Sequence, residues 1–352
     1  MAMTTPAGDG LYMPAEWQPH AGCWMAWPCR AETWGERIDD ARQAHAGLAK
    51  IIAEFEPVTL VARPEHVADA SLICGGGVEV MPLEIDDSWI RHCAPSFLVD
   101  GSGRVAGAHW RVTARGRSSA PPSAPHLHDA ALGAALLERL GMRRYQAPMV
   151  LEGGAVHVDG EGTLLATEQG LLGSGRNPNL DRQQIEERLA HYLGVRKIIW
   201  LGAGLEGDPC GGNVDNVACF TAPGKVLALI SDDPGDADYR PLQDNLERLE
   251  AARDAAGRAL EVIPVPKPRR RADDGAPQAP SYLNFYLANG AVVIPDFEEP
   301  GHDRALAIIS KAYPGRRAIP APTLGIAPGG GLHCITRQQP EGAPLEPPAA
   351  GT

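Results

Sequence analysis

The sequence predicts an α/β fold in which one strand–strand–helix–strand unit recurs about five times within a single domain. Three observations carry this. Short apolar runs are joined by Asp-Gly, Asn-Gly or Pro-Gly turns, a strong hairpin signal. Helical patterns with one apolar face follow most of those hairpins, and a further short strand follows several of the helices. The units return at a spacing of roughly 70 residues, the mark of a repeat architecture.

In chain order, a helix is expected over 38–55 and a strand over 58–62. The first hairpin runs 89–99 and 105–110 about the turn Asp100-Gly-Ser-Gly. The apolar face Leu127, Ala131, Leu132, Ala135, Leu136, Leu140 makes 126–140 a helix that Gly141 stops. The second hairpin pairs 151–158 with 163–167, and Asp181 is the N-cap of a helix closed by Gly194. A strand at 197–201 follows. The third hairpin joins 213–220 to 226–231, with a helix over 242–256 and a strand over 260–264. The fourth joins 282–287 to 291–295 at Asn289-Gly290, before a helix over 304–312 and a strand over 317–319. The fifth strand pattern holds Cys334. Residues 1–340 are read as one domain, 265–280 as an irregular loop, and the proline- and alanine-rich 341–352 as a disordered tail. In a radially repeated structure the first strand of each unit lines the centre, so residues on those strands would share an axial pocket.

Composition excludes several functions. The chain has 352 residues, 44% of them hydrophobic, and a formal net charge of −12. That acidic balance argues against a partner bound through phosphates. The seven cysteines, Cys23, Cys29, Cys74, Cys93, Cys210, Cys219 and Cys334, show no zinc spacing and no disulfide framework. No signal-peptide pattern opens the chain, and no apolar run approaches the roughly 20 residues of a membrane span. A cytoplasmic protein with a small-molecule ligand, no nucleic acid and no membrane is expected; a homodimer is left open.

The chemistry centres on Gly-Gly-Gly-Leu-His-Cys-Ile-Thr-Arg over 329–337. Glycine allows close approach of a ligand to the backbone, and Gly331 leads straight to a thiol. On this stretch alone, a nucleophile and a buried strand cysteine are equally good readings of Cys334.

Further motifs resolve that ambiguity. They are Met-Pro-Ala-Glu-Trp-Gln-Pro-His over 13–20, Asp-Asp-Ser-Trp-Ile-Arg over 86–91, Leu-Glu-Gly-Gly-Ala-Val-His-Val-Asp-Gly over 151–160, Gly-Arg-Asn-Pro over 175–178, Asn-Val-Asp-Asn-Val-Ala-Cys-Phe over 213–220 and Tyr-Leu-Asn-Phe-Tyr-Leu-Ala-Asn-Gly over 282–290. With the Cys334 segment, this ordered set resembles the agmatine deiminase and bacterial peptidylarginine deiminase branch of the pentein superfamily. The resemblance implies a five-bladed α/β propeller of ββαβ units around an axial site. It also implies attack of a cysteine thiolate on a guanidinium carbon, with no metal or organic cofactor. By it, Cys334 is the nucleophile and Asp215 grips the guanidinium. Glu152 supports histidine and substrate, while Asp86, Trp89, Arg91 and Gly331 complete the surround. His333 is expected to point away from the pocket, because strand neighbours face opposite sides.

The chain also departs from the pattern. Asn213 stands where the family has its general-base histidine, and an amide cannot titrate. His92 stands where the family has a second guanidinium-binding aspartate. Thr113 and Arg115 replace an asparagine and a tryptophan, and Cys210-Gly211 replace threonine-aspartate. These exchanges leave a less acidic pocket, unsuited to the dication agmatine. The reading is a Cys334-dependent enzyme acting on a C–N bond of an amidine, imine, amide or modified guanidine, in a specialised pathway. His92 would move protons, and Arg115 would meet an anionic group on the ligand. Transferase, lyase or cyclase chemistry stays open. So do a silent binding protein, an agmatine deiminase with a replaced base, and a metal site of His92, Cys93, Cys210 and Cys334.

Overall fold

The computed structural model describes residues 4–112, 127–173, 175–269, 279–323, 326 and 331–348. Its first unit comprises β1 (His20–Ala26), α1 (Ala31–Trp34), α2 (Ile38–Ala53), β2 (Val58–Ala62), α3 (Val67–Cys74) and β3 (Glu79–Pro82). The helical turn α4 (Ile90–Cys93) leads into β4 (Ser96–Val99), β5 (Arg104–Arg111), α5 (Leu127–Arg139) and β6 (Arg144–Val150). Next come β7 (His157–Val158), β8 (Thr163–Thr167), α6 (Glu168–Leu172), α7 (Arg182–Leu193) and β9 (Lys197–Leu201). The fourth unit is β10 (Ala218–Ala222), β11 (Lys225–Ile230), α8 (Tyr239–Ala251) and β12 (Glu261–Pro266). The fifth is β13 (Tyr286–Ala288), β14 (Ala291–Asp296), α9 (His302–Ala312) and β15 (Arg317–Pro322), and the chain ends through β16 (Thr336–Pro340) and β17 (Ala343–Pro344).

These strands form an α/β fold of five separate sheets among the described residues, none closed on itself. The second to fifth units share one plan. A tight hairpin makes the first two strands antiparallel, and the helical crossover returns the third parallel to the second. The first sheet is completed from the other end of the chain, where β16 lies antiparallel to β1. Local signals act as expected: Asp181 accepts the Gln184 amide hydrogen in a full capping box, and Gly194 ends α7 at φ +66°. Apolar strand faces pack against the helices, as with Leu227 and Leu229 of β11 against Leu242 and Leu249 of α8. No helix among the described residues is long and apolar enough to cross a membrane.

The predicted first strands start later than their patterns suggested. In place of 89–95, 151–156, 213–217 and 282–285, the chain forms α4, a 3₁₀ turn at Gly153–Ala155, another at Val214–Asn216 and a turn after Ser281. Residues 332–335 are likewise a turn, with the strand beginning at Thr336. The cause is burial. These segments are covered on every side, so apolar patterning cannot separate strand from turn.

Two further expectations are corrected. The helix over 127–139 is followed by a strand, β6, that the pattern did not reveal. The tail expected to be disordered from 341 instead pairs: Ala343–Pro344 runs parallel to β5, and the Leu345 amide donates to the Val105 carbonyl at 2.7 Å. Pro344 is tolerated there because an edge strand need not donate from every residue. Residues 349–352 and 270–278 lie outside the described residues.

Candidate active site

One side chain before the first strand of each sheet reaches a common region: Cys334 before β16, His92 before β4, Glu152 before β7, Asp215 before β10 and Asn284 before β13. All five are buried. The turn conformation of these entry segments is what brings them in, because a turn releases a side chain from the strict alternation of a strand.

The Cys334 thiol donates to Asp215 Oδ2 at 3.6 Å and accepts from Asn284 Nδ2 at 3.5 Å. Asn284 also holds the turn itself, since its Oδ1 accepts the His333 amide at 3.0 Å and the Cys334 amide at 3.4 Å. Gly331 is required beside it: a Cβ there would lie 2.3 Å from Asn284 Oδ1. The same Asp215 Oδ2 meets His333 Nδ1 at 3.0 Å, while His333 Nε2 meets Glu16 Oε1 at 2.9 Å. His333 therefore does not point away from Cys334 as the strand reading required; the two share one carboxylate oxygen. Asp215 Oδ1 has no hydrogen-bond partner among the described residues, although it is buried. A buried, unpartnered carboxylate oxygen is an acceptor awaiting a donor.

Glu152 Oε2 accepts from Arg176 Nη2 at 2.7 Å and from Asn213 Nδ2 at 3.4 Å, and Arg176 Nη2 also donates to Asn213 Oδ1 at 3.2 Å. Asn213 thus sits where an amide can serve both the cation and the anion of an ion pair. The glycines after Glu152 are spatially required, because a Cβ on Gly154 would lie 2.4 Å from Asp215 Oδ2 and one on Gly153 would lie 2.6 Å from the Arg91 carbonyl. Asp208 shapes the next loop by accepting the amides of Cys210, Gly212 and Asn213 at 2.8–3.0 Å. The thiol against His92 Nε2 is that of Cys210, at 3.7 Å, whereas His92 was expected to face Cys334. His92 stacks on Trp89, and Trp89 on Trp34, each pair inclined by 13°.

The remaining sequence candidates fall elsewhere. Arg91 is engaged by the protein, donating to the His333 carbonyl, Glu16 and Gln338 at 2.8–3.1 Å. Asp86 Oδ2 accepts the amides of His128 and Asp129, so it caps α5. Trp89 supports His92 by stacking. Thr113 and Arg115 lie outside the described residues. Sequence reasoning missed Glu16, Arg176, Asn284 and Asp208. The first three stand inside the motifs quoted above, while Asp208 had no sequence signal.

The charges decide the chemistry of the site. Burial pushes the Cys334 thiol well above its ordinary range and Asp215 adds to this, with Asn284 opposing. Burial raises Asp208 to about 6, helped by Asp215. For His333, burial and Arg91 oppose the imidazolium, but Glu16 and Asp215 outweigh them and the net shift is upward from 6.5. A group with a raised folded-state pKa lends stability that is complete below its unfolded value and lost as pH rises through its folded value. His333→Gln is therefore expected to destabilise the protein most below pH 6.5, by about 3–5 kcal/mol because Glu16 and Asp215 lose the charge between them. The penalty shrinks above neutrality. Urea unfolding at several pH values reads this, and a penalty that grows with pH would contradict it.

The family model for Porphyromonas-type peptidyl-arginine deiminase matches residues 12–340. A Legionella pneumophila protein provisionally named agmatine deiminase is 44% identical over 342 residues, covering 96% of this chain and 97% of its own. The agmatine deiminase of Stutzerimonas stutzeri is 40% identical, with 96% and 97% covered. Among solved structures, that of Enterococcus faecalis agmatine deiminase superposes with a TM-score of 0.91 at 32% identity, covering 97% of this chain and 99% of the other.

Proposed function

The chain belongs to the agmatine deiminase and Porphyromonas-type peptidyl-arginine deiminase family, hydrolases acting on non-peptide C–N bonds, and from that premise we propose that Cys334 attacks the electrophilic carbon of a small amidine or modified guanidine. The observation that carries this is Asp215. One of its oxygens holds the Cys334 thiol and His333; the other is buried and open. A substrate N–H⁺ on that open oxygen would set its carbon beside the sulfur.

The resting thiol is protonated, and a cation seated between sulfur and carboxylate lowers its pKa. The substrate therefore helps to generate its own nucleophile. The thiol proton leaves along its contact with Asp215 and departs with the leaving nitrogen, as the S–C bond forms and the C–N bond breaks. Water then cleaves the S–C bond and returns the thiol. His333 fixes Asp215 through Nδ1 at 3.0 Å, and Asn284 orients the sulfur. His92 lies against Cys210, so we assign the proton path to Asp215 and His333.

The site favours a substrate with one positive charge. Glu152 is neutralised by Arg176, and the Asp208 carboxylate is taken up by the amides of Cys210, Gly212 and Asn213. Asp215 is then the open negative charge, and a dication lacks a second counter-ion. We further read the five sheets as five blades about an axis, since a residue entering each sheet reaches the same region.

The test is alkylation of the whole chain by chloroacetamidine and by its neutral analogue chloroacetamide. Labelling of Cys334 is expected to be about 10–100-fold faster with the amidinium, the effect of one charge-assisted hydrogen bond, and Asp215→Asn should remove the preference. Equal rates in the wild type would sink the assignment of Asp215.

A further inference from the structure

We propose that His92, Glu152 and Cys210 form a three-ligand site for a zinc-type divalent cation. Their ligating atoms all lie within 4.8 Å of one another, and all three residues are buried. The separation of His92 Nε2 and Cys210 Sγ is 3.7 Å. A tetrahedral ion with bonds of ~2.0 Å to nitrogen and ~2.3 Å to sulfur requires ~3.6 Å between them.

The ligands are held in place by their surroundings. His92 is clamped by its stack on Trp89, which itself stacks on Trp34. Glu152 is anchored by Arg176 through Oε2, and Arg176 also donates to the Cys210 carbonyl. The Cys210 amide donates to Asp208 at 2.8 Å. Such outer contacts orient metal ligands before the metal arrives. Cys93, although next to His92, turns its thiol to the Trp89 and Ile90 carbonyls, so the cysteine of this cluster is Cys210. Imidazole, carboxylate and thiolate together suit zinc over the harder magnesium or calcium.

On binding, a dication exchanges for the Cys210 thiol proton: thiol plus M²⁺ gives thiolate–M⁺ plus H⁺. Three protein ligands leave one position for water or a substrate atom. His92 and Cys210 are both positions where this chain departs from the family pattern. The site does not use Cys334, so it can stand or fall separately from the proposed function.

Titration of the metal-stripped full-length protein with Co²⁺ tests it. The expected result is saturation at about one ion per chain with a thiolate-to-cobalt charge-transfer band, displaced by Zn²⁺. Affinity should rise about tenfold per pH unit, because one proton is released. Cys210→Ser should abolish the band and His92→Gln should shift or weaken it, with far-ultraviolet dichroism unchanged, while Cys334→Ala should keep it. No saturable band in the wild type would overturn the site. So would a band that survives Cys210→Ser or is lost in Cys334→Ala.

Discussion

Replacing Cys334 by alanine is expected to lower hydrolysis of amidine and modified guanidine substrates by at least about 10³-fold, since no other step forms the covalent bond. The fold should survive. Cys334 is fully buried, and its loss costs one small cavity and the hydrogen bonds to Asn284 and Asp215. The backbone of the turn stays fixed by Asn284 Oδ1 on the 333 and 334 amides. Asp215 keeps His333, so the carboxylate is not stranded. Ammonia release across a panel of mono- and dicationic substrates, with thermal unfolding of both proteins, provides the measurement. Turnover that persists in Cys334→Ala would end the nucleophile assignment. A wild type that turns over nothing, and whose thiols react with amidinium and neutral electrophiles alike, would be a binding protein that keeps the fold.

The second large effect concerns agmatine. Wild-type protein is expected to hydrolyse it poorly, and the double change Asn213→His with His92→Asp to raise that rate by about 10²-fold or more, the usual contribution of a placed general base. Both exchanges are needed. Histidine at 213 alone would set a ring against Arg176, which now donates to the Asn213 amide oxygen, and would leave the dication with Asp215 alone. An aspartate at 92 adds a second anion near Glu152. The readout is kcat/KM for agmatine against kcat/KM for a monocationic amidine. A double variant that improves neither would show that these two exchanges are not what sets the substrate.

Several features of this protein were determined by the sequence alone. Hairpins, helices and their caps were readable because their signals are local: Asn289-Gly290 turns the chain, Asp181 caps α7 and Gly194 stops it. The ordered motifs pointed to Cys334, Asp215 and Glu152 because each stands in a recognisable short context. Tertiary structure alone decided where the first strand of each unit begins. Residues 332–335 and 213–217 are buried on all sides, and a period of two carries no information there. That one difference turns His333 from an outward strand residue into a partner of Asp215. It likewise places His92 against Cys210, 118 positions away. Glu16, Arg176 and Asn284 gained their roles in the same manner, from partners 317, 24 and 50 positions distant. Local chemistry writes turns and caps into neighbouring residues. A catalytic cluster forms only when segments remote in the chain fold against one another, and its partners are set by that packing.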